Sequence, residues 1–134
     1  MRNLEELEAY VGHNVLRLRG PSRDDAWHSL VEAGPEALPY VVRAFEETSD
    51  LDVKLALAQI VSEYRSPNAV SFFEALLRDA EPEMWRQALD GLVMLGGATA
   101  LNILGAAREI ATPIRREWID EALAQINQGR SPSE

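Results

Sequence analysis

The stretch EPEMWRQALDGLVMLG (81–96) recurs in register when the chain is displaced by 31 residues. One step back places Met84 on Val53, Ala88 on Leu57, Leu92 on Val61 and Leu95 on Tyr64. A second step places Ala26, Leu30, Ala33 and Gly34 beneath Leu57, Val61, Tyr64 and Arg65, and a forward step places Ile119, Leu123 and Ile126 beneath Ala88, Leu92 and Leu95. Four segments share this register. Within each, apolar residues recur at intervals of three and four, the spacing of a helix that buries one face. A chain built this way must fold as copies of one helical unit, because no copy can bury its apolar face alone.

The helix starts are marked. Thr112-Pro113 supplies an N-cap threonine and a proline at the first helical position, Pro82 also suits a first turn, and Ser22 with Asp25 makes a capping-box pattern. Stops follow at Gly34-Pro35, Ser66-Pro67 and Gly96-Gly97, where glycine is favoured for its left-handed conformation. A second helical pattern comes after each stop: Leu38, Val41 and Phe45 are matched by Val70, Phe73 and Leu77, then by Leu101, Leu104 and Arg108. The unit is therefore a helical hairpin. A period near 30 residues made of paired helices predicts an all-α fold, an α-solenoid of about three and a half hairpins.

The expected organisation is one domain over 1–128, with an N-terminal cap at 1–20, hairpins at 22–48, 51–79 and 82–110, and a last helix at 113–128. The cap is read as a short amphipathic helix over 3–11, with Asn3 and Glu6 as a capping box, followed by an apolar strip of Val15, Leu16 and Leu18. The last helix has no second helix after it, and 129–134 (GRSPSE) reads as a disordered tail.

The first-helix pattern in Glu81, Pro82, Met84, Ala88, Gly91, Leu92, Leu95 and Gly96 resembles the first helix of a short HEAT repeat of the type found in bilin-lyase-like proteins. The resemblance covers about 22–127. It implies a stacked helical scaffold and leaves function open, because HEAT repeats serve many unrelated binding roles. Repeats of this family often carry Arg after the first apolar position. That column here reads Lys54, Trp85 and Arg116, so the middle copy departs from the pattern.

Composition narrows the chemistry. The 134 residues include 13 basic and 22 acidic ones, a net charge of −9. A surface of that sign repels phosphate backbones and anionic lipid, so neither nucleic acid nor a membrane is an expected partner, and a basic protein is. The same argument weighs against the DNA grip of helical-repeat glycosylases, which the family resemblance would otherwise bring in. The acidity is uneven: Asp24, Asp25, Glu32, Glu36, Glu46, Glu47 and Asp50 stand against Arg23 and Arg43 within 21–50, a local net of −5. Solubility alone also explains such a charge. No apolar signal core or membrane-length apolar run is seen, which predicts a cytoplasmic protein.

With no cysteine, thiolate chemistry and disulfides are excluded. His13 and His28 are the only histidines, and neither has a metal-protease spacing; no nucleophile elbow or phosphate loop occurs. Asp24-Asp25 is explained by the helix dipole more simply than as a ligand pair. The sequence therefore predicts a non-enzyme with no cofactor and no metal.

Partner-binding candidates follow from the helix pattern. In HEAT-like stacks the second helices line the concave surface, which predicts exposure of Pro39, Arg43 and Glu46; Ser71, Ala75 and Arg78; and Asn102, Ala106 and Glu109. An ordinary solvated face is the alternative. Trp85, sharing a column with Lys54 and Arg116, is expected to be at least partly exposed and is a candidate anchor; burial along a helix shoulder is the competing reading. Trp27 aligns with Ala58 and Leu89 and reads as core or near-core. Trp118, on the unpaired last helix, marks a second adhesive surface and a route to a weak dimer, the alternative being a monomer. The leading expectation is a non-catalytic, acidic protein-binding scaffold, in its sharper form an inhibitor or immunity-type protein for a basic toxin or enzyme. The alternatives are an adaptor or assembly factor, or a lyase-like repeat protein acting on a pigment-carrying protein.

Overall fold

A computed structural model of the chain describes residues 3–129. The fold is all-α: among the described residues there are eight α-helices and no strand. No helix among them is long and apolar enough to cross a membrane. The chain divides into two compact units, Met1–Ser66 and Pro67–Glu134. The expected tail lies outside the described residues from 130 onward.

The first unit contains α1 (Leu4–Arg17), α2 (Arg23–Ala33), α3 (Leu38–Glu47) and α4 (Leu51–Tyr64). α1 packs on α2 and α3, and α4 packs on both α2 and α3. Their apolar stripes meet in a core of Leu30, Val41, Leu57, Ile60 and Val61, all shielded from solvent. Each such side chain contributes about 1.5–3 kcal/mol by leaving water. Tyr64, at the end of α4, donates its hydroxyl to the Leu30 carbonyl at 2.6 Å. That carbonyl lies in the last turn of α2, where no intrahelical partner remains. Burial pushes the Tyr64 phenol well above the ordinary tyrosine range.

Two local expectations are corrected here. The N-terminal helix does not stop near residue 11 but runs on to Arg17. Gly12 interrupts it only in propensity, and the buried Asn14 donates its amide to the Tyr10 carbonyl one turn back (3.0 Å) while its Oδ1 accepts from Arg17 (2.8 Å). Ser22 takes the N-cap position of α2, yet its side chain makes no capping bond, so the capping box does not form. Asn3 does cap α1, its Oδ1 accepting from the Glu6 amide at 2.8 Å.

The second unit contains α5 (Val70–Leu76), α6 (Pro82–Leu95), α7 (Gly97–Glu109) and α8 (Pro113–Gln128). α6 packs on α5, α7 and α8, and α7 packs on α8. Phe73 of α5 lies directly over Gly91 of α6, where a Cβ would fall 2.3 Å from the ring. The glycine is required by this close approach.

The 31-residue register reappears as geometry. The N-caps of α4, α6 and α8 are Asp50, Glu81 and Thr112, spaced 31 residues apart. Asp50 accepts from the amides of Asp52 and Val53, and Thr112 accepts from that of Arg115. The residues closing α2, α4 and α6 are Gly34, Arg65 and Gly96, again 31 apart, and all three have positive φ (84°, 48° and 63°). Short 3-10 turns at Pro35–Ala37 and Pro67–Ala69 then lead into α3 and α5.

Candidate functional site

All nine second-helix positions expected to face outward are exposed, including Arg43, Glu46, Arg78 and Glu109. In the first unit, Arg43 pairs with Glu8 at 3.1 Å and lies 5.5 Å from the Tyr40 ring, while Glu46 stands beside Glu47 in the last turn of α3. Lys54 is half-buried and occupied: its ammonium donates to the Phe45 carbonyl at 2.9 Å and sits 4.2 Å from the Phe45 ring centre. It ties α4 to the end of α3.

Four acidic residues of this unit lie at one junction. Arg19 donates to Thr48 Oγ1 (3.2 Å) and Arg23 to the Asp52 carbonyl (3.4 Å), which draws the start of α2 to the turn between α3 and α4. Asp24, Asp25, Glu46 and Glu47 flank that junction, all exposed. Among the described residues none of the four forms an ion pair.

In the second unit Trp85 follows the competing reading, burial on its helix, and the partial exposure expected of an anchor is not found. Trp85 is only 5% exposed, because α8 closes over it: Trp118 meets it edge-on at 6.1 Å between ring centres. Trp118 itself is 42% exposed, as its place on the unpaired helix implied, and the Arg86 guanidinium lies 4.4 Å from its ring. Trp27, in the other unit, is half-buried and edge-on to His28 at 5.2 Å.

Trp85 instead walls a groove. The cavity holds about 420 Å3 and is bounded by the end of α5, by α6 and α7, by the turn at 110–112 and by α8. Its walls are aliphatic where Leu77, Ile103, Ile110 and Ile119 contribute, and Ala106, Ala107 and Ala111 leave the space open. The charged groups at its edge are Glu74, Arg78 and Arg115.

Three departures from the repeat produce this groove. First, α5 has 7 residues where α3 has 10 and α7 has 13, so the chain at 77–81 unwinds and frees carbonyls. Second, Arg115 stands in the column that holds the buried Val53 and Met84 in the two preceding copies. Its guanidinium donates to the freed carbonyls of Leu77 (3.1 Å) and Asp79 (2.7 Å) and lies 5.1 Å from the Trp85 ring centre. Third, Trp85 replaces the cation of its own column. Ring, guanidinium and unwound turn form one bracket beside an open apolar cavity.

Sequence reasoning placed Trp85, Arg78 and Ala106 among the candidates, and the structure brings these three together. It missed Arg115 and Ile103. Arg115 was detectable as a charge in an apolar column one place before Arg116. Lys54, Arg43 and Glu46 belong to the other unit, and Glu109, the last residue of α7, is exposed but does not line the groove. No protein-family model matches the chain, and no curated protein matches it in sequence. Among the described residues no group of three or more His, Asp or Glu side chains is arranged to hold a metal ion.

Proposed function

We propose that the chain is a non-catalytic protein-binding module, an acidic α-solenoid of HEAT-like hairpins whose partner is a basic protein. Support for the solenoid comes from the 31-residue spacing of N-caps and of positive-φ helix ends, a periodicity that stacked hairpins use to bury one continuous core. The observation that carries the partner class is the set of exposed carboxylates at 24, 25, 46 and 47, unpaired among the described residues at one junction of the first unit. Such a patch accelerates encounter with a cationic surface, and salt screens that attraction beyond a Debye length of about 8 Å at physiological ionic strength. An inhibitor or immunity-type role toward a basic toxin or enzyme is the sharpest form of this reading, and the cytoplasm is the compartment we assign.

The test is capture from a lysate of the native host at low and high salt, comparing wild type with the quadruple variant Asp24→Asn, Asp25→Asn, Glu46→Gln, Glu47→Gln. One basic protein retained at low salt and lost in high salt and in the variant is the expected result. Retention indifferent to both changes, or no basic protein at low salt, overturns it. A second reading, an adaptor that joins an assembly through α8, is favoured by Ile114 (66% exposed) and Trp118 one turn apart on that helix. Weak self-association abolished by Trp118→Ser in sedimentation would support that reading over the first.

A further inference from the structure

We propose that the groove of the second unit binds a medium-chain aliphatic carboxylate, with its alkyl chain against Ile103, Ile110 and Ile119 and its carboxylate at Arg78. The volume of about 420 Å3 lies within the range of small-molecule pockets, about 300–1,000 Å3. A mostly apolar wall with a few converging polar groups is the usual form of such a site.

The charge of the ligand follows from the rim. In a chain of net charge −9, the groove edge carries two guanidinium groups against one carboxylate. Arg115 is committed to the Leu77 and Asp79 carbonyls, whereas Arg78 is exposed and its side chain makes no hydrogen bond or ion pair among the described residues. Arg78 is thus the cation available to an anion, and a carboxylate matches the fork of its donors. Glu74, one turn earlier, also lines the groove and opposes an anion there.

The shape of the ligand follows from the walls. Trp85 is the aromatic ring of the lining, and it is already occupied by Arg115 at 5.1 Å and by the edge of Trp118. The free walls are aliphatic side chains and alanines, which suit an alkyl chain rather than a stacked ring. Ile110, 86% exposed at the mouth, gains burial when such a chain is present.

The probe is octanoate, titrated below its micellar range at constant ionic strength and followed by the indole N–H resonance of Trp85. A saturable shift is expected, with affinity rising about fourfold for each added methylene from hexanoate to decanoate. Octan-1-ol should bind more weakly than octanoate. Arg78→Gln, a change at an exposed site, should cost about two- to fivefold in octanoate affinity and leave octanol unchanged. Glu74→Gln should tighten octanoate, and Ala106→Phe should fill the groove and abolish the shift.

Octanol binding as tightly as octanoate, an Arg78→Gln variant of unchanged affinity, or an Ala106→Phe variant that still binds would each overturn the proposal. So would a shift that follows protein concentration without ligand, which would assign the groove to a second copy. The absence of a saturable shift with any alkyl compound would refute the proposal as well. None of these outcomes bears on the acidic patch of the other unit, so the two proposals stand or fall separately.

Discussion

Replacing Gly91 by alanine adds a single methyl group in the middle of α6, a change that ordinarily strengthens a helix by about 1 kcal/mol. Here the methyl carbon would lie 2.3 Å from Phe73 Cε1 and 2.4 Å from Cζ, where ordinary contact begins near 3.4 Å. The ring must withdraw by about an ångström, and in a close-packed core it has nowhere to go; Phe73 is 1% exposed. Overpacking on this scale costs about 3 kcal/mol, the upper end of the ordinary range. Subtracting the propensity gain leaves Gly91→Ala about 2 kcal/mol less stable than wild type. With an m value of about 1.5 kcal/mol per molar urea, the unfolding midpoint falls by about 1.3 M. The repeat supplies the rescue. The register equivalents of Phe73 and Gly91 are Leu104 and Ala122 in the next copy and Val41 and Ile60 in the preceding one, a smaller residue on one helix going with a larger one on the other. The double variant Phe73→Leu, Gly91→Ala should therefore recover most of the loss, giving a coupling energy of about 2 kcal/mol in a double-mutant cycle. Urea titrations followed by tryptophan fluorescence measure all four corners, since Trp85 is buried on the same helix. An alanine variant as stable as wild type, or strictly additive effects, would refute the packing argument.

Arg65 closes α4 with φ of 48°, where the equivalent residues Gly34 and Gly96 are glycine. A left-handed non-glycine residue costs about 1–2 kcal/mol, partly offset by the entropy glycine loses on folding, so Arg65→Gly should stabilise the protein by about 0.5–1 kcal/mol, read as a higher urea midpoint. Tyr64→Phe removes the donor from the buried Leu30 carbonyl and should cost about 1–2 kcal/mol. Burial raises the Tyr64 phenol in the folded state, so the folded protein holds this proton over a range where the unfolded chain has released it. Stability from this group is complete below the ordinary phenol value of about 10 and is lost as pH rises above it. The alkaline limb of a stability–pH curve should accordingly be shallower in Tyr64→Phe than in wild type, and identical limbs would contradict the assignment.

The helices were legible because their signals are local. Thr112-Pro113 and the stops at Gly34-Pro35 and Gly96-Gly97 fix the backbone within a few residues of themselves, and the structure uses all of them. α1 ran past its expected end because its continuation depends on Asn14, an amide that is buried and satisfied by Tyr10 and Arg17; polarity in the sequence does not reveal such satisfaction. Ser22 illustrates the opposite failure, a capping pattern present in sequence whose side-chain bond is not made.

The groove was harder to read, because it arises from residues that break the repeat rather than from residues that form a motif. A column containing Lys54 and Arg116 suggested that Trp85 reaches solvent, but a column predicts environment only when the neighbouring columns keep their usual residues. Replacing an apolar residue by Arg115 places a guanidinium over the indole and turns a surface position into a wall. The same guanidinium satisfies carbonyls that the early end of α5 leaves open, so the short helix and the misplaced charge compensate each other. Each departure alone would destabilise a regular hairpin, through orphaned carbonyls or a charge in an apolar column. Together they close their own defects and leave an apolar cavity with the exposed Arg78 at its edge. Departures from internal regularity are where reasoning from a repeat is expected to fail, and in this chain three of them meet at the groove beside Trp85.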